Sequence, residues 1–173
     1  ADDFSLILAV WRVAVSTEDI ASIQRFAHLL LQPQRPAEVR AVGHSLQAHL
    51  LLARGQLHAA TAELDRLAQL DAGLALAYRA LFALFPLQPA PRDTLAALRA
   101  QLRRASTPAP ARGSGPADLW VNIHADVHDQ LRTYLIGLLS AHLGDEDEAE
   151  RSAGELARTE GGSDAANLAR SHA

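Results

Sequence analysis

Apolar residues return every three or four positions along almost the whole chain, and no stretch alternates convincingly two by two. That spacing puts successive apolar side chains on one face of a helix, and it points to an all-α protein. Ala and Leu together supply more than a third of the 173 residues. Both are among the strongest helix formers, while the β-branched and aromatic residues that favour strands are thin. With aromatics at 5%, the packing rests on small and aliphatic side chains. Helices built this way can approach closely, and a large aromatic-lined pocket is not expected.

The punctuation divides this pattern into about eight main helices plus a short C-terminal one. Phe4, Ile7, Leu8, Trp11 and Val15 mark a first helix. Ser16 and Thr17, followed by Glu18 and Asp19, read as a hydroxyl cap with acids in the first turn of a second. That helix carries Ile20, Ile23, Phe26 and Leu30 and stops before Pro33. Pro36 opens a third helix that runs to about Arg54, where Gly55 breaks it. The fourth carries Leu57, Ala60, Leu64 and Leu67; the fifth runs from about Ala72 to Phe85 and ends at Pro86. The sixth covers about Arg92 to Arg104. Residues 105–116, rich in Pro, Ala, Gly and Ser, read as a flexible linker or loop. A long seventh helix, about Asp118 to Leu143, ends at Gly144, and the eighth begins in the run Asp145 to Glu148. Gly161 and Gly162 end it, and Ser163 caps the last short helix. The expected organisation is three hairpins over 1–104, the linker, and a long-helix hairpin with a terminal capping helix over 117–173, all in one stack.

Two segments repeat. In 48–67 and again in 137–156, a small residue (Ala48, Gly137) stands seven positions before a glycine (Gly55, Gly144). Alanine follows five positions after that glycine (Ala60, Ala149), and leucine seven further on (Leu67, Leu156). This pattern resembles the core of the tetratricopeptide repeat. The resemblance implies antiparallel helical hairpins stacked as an α-solenoid: the small residue lets the hairpin's helices touch, the glycine turns the chain and the alanine receives the first helix. The pattern departs from the family where its first-helix Trp falls on His44 and Thr133, where its second-helix aromatic falls on Leu64 and Ala153, where a further small residue is usual at Leu67 and Leu156, and where its closing Pro falls on Ala72 and Gly161.

The net charge of −4 lacks the basic excess that a sequence-independent grip on nucleic acid needs. Every basic residue other than His is Arg, which reads as coding bias. The cluster Arg99, Arg103 and Arg104 lies near a helix end, where it offsets the helix dipole. Cys is absent, so disulfides and Cys-ligated metals are excluded. No apolar run approaches the roughly 18 residues a membrane span requires, and no membrane insertion is expected. Met is also absent; the expectation is a piece of a longer protein or a chain whose leader has been removed, and the expected location is cytoplasmic, with export after leader removal as the alternative.

Several constellations invite a chemical reading. His124 and His128 share a helix face at i, i+4 spacing, as two metal ligands would. A third ligand is missing, and Ala125 stands where a metalloprotease would carry Glu. Solvated or partly buried histidines are the plainer reading. Gly43-His44-Ser45-Leu46 resembles a nucleophile elbow, but Gln47 replaces the second glycine and the setting is helical. Gly113-Ser114-Gly115 lacks the lysine of a phosphate loop. The acids from Asp145 to Glu148 suit a helix start, and Trp11 and Trp120 fall on apolar stripes as core residues.

No catalytic set is complete, and neither a cofactor nor a metal is expected. In the tetratricopeptide family the first helix of each hairpin lines a concave groove. The resemblance therefore implies a non-catalytic scaffold for a protein or peptide, with Ser45, His49, Leu52, Tyr134, Leu138 and Ala141 as groove residues. A regulatory or sensor module of a larger bacterial signalling protein or transcription regulator is the alternative.

Overall fold

The computed structural model describes residues 19–85, 90–105 and 116–158, with side chains from residue 129 onward in the last stretch. The expected first helix with Trp11, the Ser16–Thr17 cap, most of the 105–116 segment and the helix after Ser163 lie outside them. So do the side chains of Trp120, His124 and His128. The described residues are all-helical, without strands, and their helices pack in sequence order. They are α1 (Ile20–Leu30), α2 (Ala37–Ala53), α3 (Leu57–Leu70), α4 (Ala72–Ala83), α5 (Arg92–Arg104), α6 (Pro116–Leu143) and α7 (Glu146–Arg158). Two compact units divide between Ala75 and Leu76, inside α4. The expected 105–116 boundary falls within the second unit.

In the first unit the cap of α1 is Asp19. Its Oδ1 accepts the Ser22 amide at 3.0 Å, and α1 begins at the next residue. Helix α2 lies on α1, and Gly43 permits the approach: a Cβ there would sit 3.0 Å from Leu30 Cβ and from Leu31. Ile23, Ala27 and Leu50 close this contact with Leu46 against them. Helix α3 folds back on α2. Ala48 and Ala60 are 0% and 1% exposed, and Leu64 and Leu67 are equally deep. Burying each such leucine contributes about 2 kcal/mol. Asp71 alone joins α3 to α4. Its extended backbone ends the first helix, and its carboxylate accepts the Leu74 amide at 2.8 Å to start the second.

In the second unit Ala77 and Ala80 of α4, Leu95, Leu98 and Leu102 of α5, and Leu135, Leu139 and Leu143 of α6 form one buried cluster. Helix α4 ends at Ala83, two residues short of the expected Phe85. Leu84 and Phe85 close the helix with i to i−3 bonds to Leu81 and Phe82, because Pro86 disfavours helical backbone in the residue before it. Helices α5 and α6 are strapped at both ends. Arg92 donates to the Leu143 carbonyl, and Arg132 donates to the Ala105 carbonyl at 2.5 Å. Each arginine thus satisfies a carbonyl that a helix C-terminus leaves without a partner. Helix α7 then folds back on α6.

Candidate functional site

The two hairpins, α2 with α3 and α6 with α7, share one turn. Gly55 and Gly144 have φ of 71° and 74°, a conformation a side chain disfavours. The Gly55 amide donates to the Leu52 carbonyl at 2.8 Å and the Gln56 amide to the Leu51 carbonyl at 2.9 Å. At the matching positions, Gly144 donates to Ala141 at 3.0 Å and Asp145 to Ser140 at 2.9 Å. Both are complete Schellman motifs. The return helices also start alike, Ala60 donating to the Gln56 carbonyl and Ala149 to that of Asp145. The sequence repeat is therefore a backbone repeat, residue for residue.

Ala48 and Ala60 are fully buried. Gly137 lies under Ser152, whose Cβ would be 3.0 Å from a Cβ built on the glycine, with the Ala149 carbonyl at 3.9 Å.

On this frame the six residues expected to line a groove fall at matching positions of α2 and α6, one trio in each unit. Ser45 is 2% exposed, and its hydroxyl donates to the Val42 carbonyl at 2.8 Å; it presents no surface to a ligand. Its helical setting leaves it without the strand that an elbow nucleophile needs. His49 and Leu52 are half-buried. The His49 Nδ1–H donates to the Ser45 carbonyl at 2.8 Å. Burial holds the His49 imidazole below its ordinary pKa, against the opposing pull of that carbonyl. In the second unit Tyr134 packs against the leucine cluster, Leu138 is half-buried and Ala141 is exposed. Each trio thus offers two surface positions and spends one residue on the interior, or on its edge in the case of Tyr134.

Sequence reading missed the best-built polar group of the first unit. His44 Nδ1 lies 2.7 Å from Glu63 Oε2 across the α2–α3 contact, and Glu63 is only 9% exposed. A carboxylate only accepts, so Nδ1 carries the proton. Arg66 donates to the other Glu63 oxygen from the rim. Of these partners only Glu63 and Arg66 share a helix, so spacing along the chain could not reveal the trio. Among the described residues no group of three His, Cys, Asp or Glu side chains is arranged to hold a metal ion. No helix there is long and apolar enough to cross a membrane.

The basic cluster also has partners that sequence did not foresee. Arg99 donates to Ser140 Oγ at 3.0 Å and to Asp145 Oδ2 at 2.8 Å, and Arg103 pairs with Glu148 at 2.8 Å. Partial desolvation works against the charged form of Asp145, but Arg99 and the Glu148 amide outweigh it and hold the carboxyl below its ordinary pKa. The arginines near the end of α5 therefore serve the acids at the start of α7 as well as their own helix end. Comparison with protein-family models, curated proteins and solved structures finds no match to this chain.

Proposed function

We propose that the chain is a non-catalytic scaffold of the tetratricopeptide type, which binds a protein or peptide along the first helix of each hairpin. One observation carries this reading: the two hairpins repeat each other's turn bond for bond. In a tetratricopeptide-type repeat the first helix of a hairpin is the one that faces the partner, and each unit carries one such helix, α2 in the first and α6 in the second. The net charge of −4 favours a protein partner over nucleic acid. On this reading His49 and Leu52 in α2, and Leu138 and Ala141 in α6, contact the partner, while Ser45 and Tyr134 support them from within.

Affinity capture from native lysate, comparing wild type with His49→Ala and with Ala141→Arg, tests the proposal. Ala141 is exposed, and helical circular dichroism verifies that the fold persists in both variants. Loss of the same partner from both variants supports the reading. Retention of every partner by both removes it.

A further inference from the structure

The two return helices, α3 and α7, occupy matching places in their hairpins but are held by different forces. Helix α3 buries Ala60, Leu64 and Leu67 together with Glu63. At the matching positions of α7 stand Ala149, which is half-buried, Ala153, which is exposed, Leu156, which is half-buried, and Ser152. Among the 13 residues of α7 only Ser152 is buried. What α7 lacks in apolar burial is supplied by charge. Arg99 binds Asp145, the residue that starts the helix, and Arg103 binds Glu148 within its first turn. In each pair one side chain is well exposed, Asp145 at 39% and Arg103 at 42%, so both pairs are open to screening by salt. Both contacts lie within a few residues of Gly144, at the turn that leads from α6 into α7.

We propose that α7 is an electrostatic strap. It is latched onto α6 by the arginine face of α5, and it opens as a unit about Gly144 when the latch is weakened, uncovering the α6 surface at Gly137. Apolar burial is insensitive to moderate salt, whereas the attraction in ion pairs that still meet water weakens as the Debye length shrinks from about 20 Å at 20 mM to about 4 Å at 500 mM. The first unit's α3 is closed by leucines, and its polar contact to α2 is centred on Glu63, which is only 9% exposed, so it should not share this behaviour. The inference concerns the second unit alone and does not depend on the scaffold reading.

Hydrogen exchange of the full chain, followed by mass spectrometry at 20 mM and 500 mM sodium chloride, tests it. Exchange over 146–158 is expected to rise about fivefold at the higher salt, as loss of two modest ion pairs implies, with 57–70 unchanged. Arg103→Glu, which sets a carboxylate against Glu148, should raise exchange in α7 already at low salt. The variant and wild type should then converge at high salt, a signature that lost packing would not give. Equal exchange in α7 at both salts, or a rise shared equally by α3 and α7, would overturn the proposal. So would a variant whose difference from wild type is unaffected by salt.

Discussion

Gly137 lies directly beneath Ser152: a Cβ on the glycine would come to 3.0 Å of the serine's own Cβ. That is tighter than nine in ten such carbon contacts, so with a side chain at position 137, Ser152 would have to give by a few tenths of an ångström. Gly137→Ala is therefore expected to destabilise the second unit by about 1–3 kcal/mol, the usual cost of overpacking, despite alanine's better helix propensity. Chemical denaturation of Gly137→Ala, and of the same variant with Ser152→Gly, measures it. Recovery in the double variant is expected. A single variant as stable as wild type would mean that the helices are free to separate there.

The glycine turns give a second expectation. Nothing lies within 4 Å of a Cβ at Gly55 or Gly144, so any penalty for a side chain comes from the left-handed backbone alone. Gly55→Ala and Gly144→Ala should each cost about 1 kcal/mol, and Asn at either position less. Thermal melts followed by helical ellipticity should show the same ranking at both sites. A cost at one glycine and none at the other would contradict the equivalence of the two turns.

Much of this was legible in the sequence because it depends on local spacing. The helix ends at Leu30, near Gly55 and at Leu143 follow from Pro, Gly and the apolar period, as does the repeat of Ala48, Gly55 and Ala60 in Gly137, Gly144 and Ala149. The cap of α1 was misplaced by a few residues, because Asp19 reads equally well as a first-turn acid or as the cap itself, and only the Ser22 amide decides. Pairings between helices were not legible. His44 meets Glu63, and Arg99 meets Ser140 and Asp145, through the way hairpins close. Ser45 looked available for a ligand because helical register alone does not say which side of α2 the neighbouring helices cover.

The His44–Glu63 pair should behave as a buried couple, not as two independent side chains. Glu63→Leu leaves the His44 N–H facing an apolar contact and should cost about 3 kcal/mol. His44→Leu combined with Glu63→Leu removes both polar groups and should cost less than Glu63→Leu alone. Urea unfolding of wild type, the two single variants and the double variant gives the coupling. Strict additivity would show that the 2.7 Å contact contributes nothing of its own.

His49 sets an acid-side limit on the stability of the first unit. Its ordinary pKa is 6.5, and burial lowers that value in the folded chain. Between the two values the unfolded chain binds the extra proton, so stability rises with pH across the window. The contribution is fully present above pH 6.5 and is lost as pH falls through the folded-state value. The melting temperature of wild type should therefore decline as pH is lowered from 7.5 toward 5. His49→Gln, which cannot titrate, should show a shallower decline over the same interval. Asp19 and Asp145, both held below their ordinary values, act in the same direction but only at more acidic pH, and both are retained in the variant. Melting curves that run parallel for wild type and His49→Gln from pH 7.5 to 5 would show that His49 is not the group responsible.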